Sequence, residues 1–218
     1  MNFRIRAVVF DLDGTLVDSM PLVLRAYAHA LEPYLPEITA DELRRSMGGP
    51  PERIFERLLT DPTRIAGALE RLVEFGAANW RLIQPFPGMI KLMDDLRGAG
   101  RCVGVWTGRE RNSTVQILRQ SQIADKIDVC VCGDDLGSHK PDPAGLADTL
   151  RRLSVEPPEA LFVGDAEVDL LAGIALGVPT LLISHGYAVT AELAGRAWKV
   201  AETPEAAYAF VRDTVNWA

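Results

Sequence analysis

The sequence predicts an α/β chain, a doubly wound parallel sheet carrying an inserted helical domain, and three observations support that class. Short β-branched runs alternate with amphipathic stretches from about Arg101 onward, as expected when parallel strands are joined by helices. A further apolar run, Ala7-Val8-Val9-Phe10, stands near the start and leads straight into Asp11-Leu12-Asp13-Gly14-Thr15. Between these two regions, residues 17–84 hold apolar side chains at helical spacing and no convincing strand.

Taken in order, Ala7 to Phe10 reads as a buried parallel strand because four consecutive residues are apolar. Asp11 and Asp13 are two apart, so in extended backbone their side chains share a face, and Gly14 lets the chain turn directly afterwards. Two like charges that close call for a counter-charge. A hard divalent cation such as magnesium suits them, since it favours oxygen ligands and keeps waters for a phosphate. Taken alone, an Asp-x-Asp is more often an ordinary acidic turn, so the weight falls on what stands downstream.

The segment that follows carries three helical stripes: Leu22, Val23, Ala26, Tyr27 and Ala30; Ile54, Leu58 and Leu59; Ile65, Leu69, Leu72 and Val73. Pro33, Pro36, Pro50, Pro51 and Pro62 divide it. Pro85-Phe86-Pro87-Gly88 marks a return linker. The expected division is a core of residues 1–16 and 86–218 with a helical cap of residues 17–85. The cap is expected to lie over the acidic turn as a lid, hinged near Val17 to Ser19 and Gln84 to Gly88.

Later strands are expected at 102–106, 127–132, 160–163 and 179–183, with helices at about 110–119, 143–152 and 167–176. Trp198-Lys199-Val200 reads as a short edge strand, and Thr203-Pro204 as the cap and first position of a closing helix to Val215. Functional groups of a parallel sheet gather at the carboxyl ends of its strands. There stand Thr107-Gly108-Arg109, then His139-Lys140-Pro141 after the third strand, then Gly164-Asp165 with Asp169 one helical turn on. Each alone has an ordinary explanation, a turn, a surface lysine or a helix-capping acid. Falling in sequence after three strands, and joined by the acid pair at the end of the first strand, they do not.

Composition narrows the partners. The 218 residues are 48% hydrophobic and 24% charged, with a formal charge of −7. That charge argues against a nucleic-acid surface. No apolar run approaches the roughly 18 residues that span a bilayer, and the first residues lack a secretory apolar segment, so the expected location is cytoplasmic. Cys102, Cys130 and Cys132 are expected to be reduced thiols in the packing, since Cys130-Val131-Cys132 lacks zinc-ligand spacing.

In its four motifs, Asp11-Leu12-Asp13, Thr107, Lys140-Pro141 and Gly164-Asp165 with Asp169, the chain resembles the haloacid dehalogenase-like superfamily, specifically phosphatases with a helical cap after the first motif, and the resemblance covers essentially its whole length. It implies a Rossmann-like core and a definite division of labour. Asp11 would be the nucleophile that forms an aspartyl-phosphate, and Asp13 the acid and base serving the leaving oxygen and the attacking water. Thr107 would hold phosphoryl oxygens and Lys140 would neutralise charge on Asp11 and the phosphate. Asp11, Asp165 and the backbone carbonyl of Asp13 would bind Mg2+, with Asp169 supporting the metal shell and orienting Lys140.

The presence of Asp13 disfavours the dehalogenating and carbon–phosphorus-cleaving relatives. Val23, where the family's sugar-phosphate mutases place a histidine, disfavours mutase. Gly133-Asp134-Asp135 and Gly186-Tyr187 look like phosphoglycolate phosphatases, which makes phosphoglycolate the leading substrate ahead of a sugar phosphate, nucleotide or pyrophosphate. Met47-Gly48-Gly49-Pro50-Pro51 resembles the cap loop that reads the substrate, so Gly48, Gly49 and Arg53 are candidate contacts, with Arg44 and Arg45 as further options. Gly108 and Arg109 are candidates from the core, although Arg109 could equally face solvent. His29 and His185 are expected to be structural, and His139 is open to a substrate contact. A phospho-accepting signalling domain is the competing class, against which the cap and the paired acids count. The expected partner is a small phosphorylated metabolite, with neither nucleic acid nor membrane, and the chain a monomer or homodimer.

Overall fold

In the computed structural model, residues 5–46, 51–186 and 189–215 are described. The first strand, β1 (Ala7–Phe10), is wholly shielded from solvent, as the centre of a parallel sheet requires. The chain leaves it through a turn and a two-residue strand, β2 (Val17–Asp18), which pairs antiparallel with β3 (Gln84–Pro85) where the chain returns. The outgoing and returning crossings therefore form one hydrogen-bonded ribbon. Two units result, one made of the described residues up to Asp18 and from Gln84 onward, the other of Ser19–Ile83.

Among the described residues the inserted unit holds four α-helices, α1 (Met20–Leu31), α2 (Ala40–Ser46), α3 (Pro51–Leu58) and α4 (Ile65–Asn79). Leu22, Ala26, Tyr27, Ala30 and Leu31 form the buried face of α1, and the last three of these, Tyr27, Ala30 and Leu31, pack with Leu43, Ile54, Phe55 and Ala68. The Tyr27 and Phe55 rings lie 5.3 Å apart, within the range of favourable aromatic pairs. A reciprocal cap starts α2: Glu42 accepts the Thr39 N–H at 2.8 Å, and Thr39 Oγ1 accepts the Glu42 N–H at 3.2 Å, which satisfies two donors with no partner inside the helix. One expected stripe residue is misplaced. Val73 is 68% exposed, because the buried face of α4 centres on Ala68 and position 73 lies five residues, about 140°, around the helix.

In the other unit the chain continues through α5 (Met89–Gly98), β4 (Cys102–Trp106), α6 (Arg111–Gln120), β5 (Val129–Val131), α7 (Ala144–Leu153), β6 (Ala160–Gly164), α8 (Glu167–Leu176), β7 (Thr180–Ile183), α9 (Ala191–Arg196), β8 (Lys199–Ala201) and α10 (Pro204–Val215). The strands form one sheet in the order β5-β4-β1-β6-β7-β8, with every pairing parallel. Successive strands fill first one side of β1 and then the other. Phe10 is level with Val105 of β4 and Val163 of β6, so Asp11, Thr107 and Asp165 all leave the sheet at its carboxyl edge around this reversal. A crevice opens there in sheets of this kind.

Helices cover both faces. Leu146 and Leu150 of α7 and Ala172 of α8 pack on Val9, Trp106 and Phe162, while α5 and α10 pack together with Leu92, Met93, Leu96, Ala207 and Val211 all buried. Each fully buried large apolar side chain contributes roughly 1.5–3 kcal/mol. A Cβ on Gly104 would meet Thr149 Cγ2 at 2.8 Å, so a side chain at that position would push α7 off the sheet. Cys132 is buried and Cys102 and Cys130 half-buried, all as free thiols. Among the described residues, no helix is long and apolar enough to cross a membrane.

Candidate active site

Asp11 extends β1 by one more ladder bond, its N–H donating to Val163 O at 2.8 Å. The chain then folds back on itself: the carbonyl of Leu12 accepts from Leu16 N–H at 2.9 Å and Val17 N–H at 3.0 Å. Gly14 makes this possible at φ +79°, where an added Cβ would lie 2.1 Å from Asp165 Oδ2. Only a residue without a side chain meets both conditions. The turn is held from behind by Tyr208, whose buried hydroxyl donates to Thr15 O at 2.6 Å.

Three carboxylates converge at this edge. One oxygen from each of Asp11, Asp165 and Asp169 lies within 4.8 Å of the other two. Lys140 joins them: its Nζ donates to Asp11 Oδ1 at 2.5 Å and forms an ion pair with Asp169 Oδ1 at 2.7 Å. The ammonium also lies 4.7 Å from the Trp106 ring centre and 5.6 Å from that of Phe162, distances at which an aromatic face stabilises a cation. Asp169 turns its other oxygen to the N–H of Ala166 at 3.0 Å, which ties the acid to the first turn of α8.

Electrostatics follow from this crowding. Burial, offset in part by Lys140 and reinforced by Asp169, pushes the Asp11 carboxyl up to about 7. Burial, then Asp11 and Asp169, push Asp165 up to about 8. Burial pulls the Lys140 ammonium down, but Asp11 and Asp169 outweigh it and hold the group above the ordinary lysine range. One ammonium does not balance three carboxylates. The donor set is all hard oxygen and closely grouped, which fits a small divalent cation held by Asp11 and Asp165.

The opening pair of acids divides differently from the expectation that both face one cation. The carboxylates grouped with Asp11 are Asp165 and Asp169, while the Asp13 side chain is taken by Arg109. Arg109 Nε donates to Asp13 Oδ2 at 2.9 Å and Nη2 to Oδ1 at 2.6 Å. The cause is local: the chain is turning by residue 13, so the extended-strand rule that places i and i+2 on one face no longer applies. Burial lowers the Arg109 pKa and the Asp13 carboxylate more than restores it.

Thr107 follows β4 directly, buried, with its N–H donating to Val131 O at 3.0 Å and its Oγ1 accepting from Arg109 N–H at 3.1 Å. The Thr107 hydroxyl hydrogen is left to donate elsewhere. Gly108 lies in the loop between Thr107 and α6, with its carbonyl against Gly133. The two aspartates after β5 serve that loop: Asp134 accepts the Arg111 N–H at 2.8 Å, and Asp135 accepts the Cys132 N–H at 2.7 Å while pairing with the Arg111 guanidinium. His139 contributes its carbonyl to a turn closed by Asp142 N–H at 2.9 Å.

Of the cap candidates, Gly48 and Gly49 lie outside the described residues. Arg53 is on α3 and pairs with Glu56 at 2.9 Å, and Arg44 pairs with Asp41 at 3.0 Å. His29, in the same unit, gives its carbonyl to Arg71 Nη2 at 2.8 Å.

His185, expected to be structural, holds the backbone of the acidic turn and stands beside Asp165. His185 Nε2 donates to Gly14 O at 2.7 Å and lies 3.8 Å from Asp165 Oδ2, with its ring 5.8 Å from that of Phe86. It follows β7 by two residues, so the strand-end rule that found Asp165 also reaches it.

The site is a parallel sheet whose switch point gathers three carboxylates around a lysine with a largely buried side chain, an arrangement suited to a cation and an anionic group together. Comparison with known proteins is specific: the haloacid dehalogenase-like hydrolase family model matches residues 8–183, and the chain belongs to that family. It is 32% identical to a phosphoglycolate phosphatase of Rhodospirillum rubrum over 84% of this chain and 80% of that one. It is 29% identical to the pyrophosphatase PpaX of Halalkalibacterium halodurans over 87% of each. A solved haloacid dehalogenase-like hydrolase from Streptococcus pneumoniae superposes with a TM-score of 0.80 at 25% identity, covering 95% of this chain and 98% of that one. The chain is thus a phosphatase of this family.

Proposed function

We propose that this protein is a magnesium-dependent phosphatase that hydrolyses a small phosphomonoester through an aspartyl-phosphate on Asp11, with phosphoglycolate as the leading substrate. The observation that carries the reading is the contact of Lys140 Nζ with Asp11 Oδ1 at 2.5 Å, at the carboxyl end of the central strand and beside two further acids. A carboxylate attacks phosphorus only when ionised, and a fixed ammonium favours that form.

In the first step an Asp11 oxygen bonds to phosphorus as the bond to the leaving oxygen breaks, and Asp13 supplies the proton that oxygen needs. In the second, water attacks the same phosphorus, Asp13 takes its proton, and the Asp11 carboxylate leaves. Thr107 donates to the phosphoryl oxygens, and Lys140 offsets the charge they share with Asp11. Asp11 and Asp165, with the Asp13 carbonyl, would hold Mg2+, and bound magnesium supplies charge neutralisation for the acids and the incoming phosphate. Asp169 keeps Lys140 aimed at Asp11.

The relative named a phosphoglycolate phosphatase supports the substrate, and the relative named a pyrophosphatase favours pyrophosphate as the second reading. The test is phosphate release with and without Mg2+ from phosphoglycolate, pyrophosphate and a generic aryl phosphate, with Asp11→Asn as the control. Phosphoglycolate is expected to give the highest kcat/KM, and all activity to vanish in the variant. No turnover above that variant would overturn the enzyme reading, and a highest kcat/KM for pyrophosphate would replace the substrate.

A further inference from the structure

Both oxygens of Asp13 are engaged by one guanidinium. The contact is a fork on a fork, Nε to Oδ2 at 2.9 Å and Nη2 to Oδ1 at 2.6 Å, with the two side chains 25% and 31% exposed. Arg109 follows Thr107 by two residues, and the Thr107 hydroxyl accepts its N–H, so the guanidinium arises next to the residue assigned to the phosphate. Resting on the reading of Asp13 as the acid and base, this pair has a direct consequence. While both carboxylate oxygens bond Arg109, Asp13 has to give up part of that fork before it can pass a proton to the oxygen of a departing alcohol.

Asp13 can be released in two ways. Withdrawing the guanidinium with no new partner would leave a partly buried charge uncompensated, which is strongly unfavourable. Exchanging one carboxylate for another preserves two charge-assisted hydrogen bonds of the same geometry. We propose that Arg109 is a specificity-determining residue that exchanges Asp13 for a carboxylate of the substrate, so that the preferred class is the phosphate monoester of a short 2-hydroxy acid. In such an ester the carboxylate is attached to the carbon bearing the leaving oxygen. Its oxygens therefore lie three bonds from the atom that Asp13 serves, within reach of the arginine that Asp13 touches. A substrate lacking that carboxylate leaves the pair closed.

The exchange separates substrates that differ only in the carboxylate. Phosphoglycolate and ethyl phosphate are compared in the wild-type protein, Arg109→Gln and Arg109→Lys, with pyrophosphate as a third substrate. Arg109→Gln is expected to lower kcat/KM for phosphoglycolate by about 30-fold or more, mainly through KM, and to raise kcat for ethyl phosphate several-fold because Asp13 is no longer held. Arg109→Lys, which keeps the charge and loses the fork, is expected to recover only part of the phosphoglycolate loss. Activity on ethyl phosphate shows in the same samples that the variants are folded. An equal loss on both esters, or a loss confined to kcat, overturns the proposal while leaving the phosphatase reading intact. A loss on pyrophosphate as large as that on phosphoglycolate overturns the carboxylate assignment. Absence of any phosphate release by the wild-type protein removes the phosphatase reading and this inference together.

Discussion

Lys140 Nζ stands 2.5 Å from Asp11 Oδ1, and this contact joins the loop before α7 to the end of β1, 129 residues apart in sequence. Its ammonium is the protein's own counter-charge for an acid that burial alone would neutralise. Replacing it with Met is expected to abolish turnover, with kcat down by more than about a thousandfold, since nucleophile ionisation and phosphoryl charge both depend on it. Phosphate-release kinetics measure this. Retention of a tenth of wild-type kcat would show that Lys140 is not needed for either.

The metal-free protein is expected to lose stability as pH rises from about 4 to about 8. Asp11 and Asp165 are raised in the folded state, to about 7 and about 8 from 3.8. The folded state then holds protons that the unfolded chain has released, so their contribution is present near pH 4 and is lost as pH climbs through the folded values. Mg2+ favours the ionised acids and is expected to raise Tm more at pH 8 than at pH 5. Thermal unfolding in chelator and in Mg2+ at both values checks this, and an equal Mg2+ effect at the two would count against it.

Gly14→Ala is expected to damage metal binding out of proportion to its size. The added methyl would fall 2.1 Å from Asp165 Oδ2, on a backbone at φ +79°. The left-handed conformation costs an alanine about 1 kcal/mol, and Asp165 must move besides. A Mg2+ titration of activity is expected to shift upward at least tenfold, and an unshifted titration would mean that Asp165 does not set metal affinity.

Tyr208→Phe tests the support beneath the turn without touching the acids. Its hydroxyl donates to Thr15 O at 2.6 Å, fully buried. Removing the donor leaves that carbonyl unsatisfied, at a cost of about 1–3 kcal/mol. Urea unfolding is expected to show a lower midpoint with an unchanged slope.

His185→Ala removes the hydrogen bond to Gly14 O at 2.7 Å and a neighbour of Asp165. The expected outcome is a several-fold higher Mg2+ requirement with a smaller change in kcat at saturating metal, as for other groups that support a metal ligand. A fall in kcat with no change in the Mg2+ requirement would assign His185 to the substrate instead.

What the sequence made legible was local. The strands at Ala7–Phe10, Cys102–Trp106 and Ala160–Gly164 are unbroken apolar runs, and the groups at their ends follow from the rule that parallel sheets expose function at that edge. Asp11, Thr107 and Asp165 stand directly at those ends and His185 two residues past β7, whereas Lys140 lies nine residues beyond β5 and is marked only by the proline that follows it. Helix α5 lies between the return linker and the first alternating strand and is not among the expected elements, although Met89, Leu92, Met93 and Leu96 form a buried helical stripe. The β2–β3 ribbon pairs residues separated by the whole insertion, and no local pattern in two residues announces such a partner. The Asp13–Arg109 pair spans 96 residues. Sequence brought both residues to one edge of the sheet but gave no means of deciding that they meet.

Phosphorylation of Asp11 is the step on which the proposed chemistry rests. Acid quenching during steady-state turnover of phosphoglycolate with Mg2+, followed by peptide mass spectrometry, tests it most directly. A hydroxylamine-labile phosphate on the peptide that carries Asp11, missing from Asp11→Asn, is the predicted result. An active enzyme that carries phosphate on another residue, or none at any time in turnover, would contradict it.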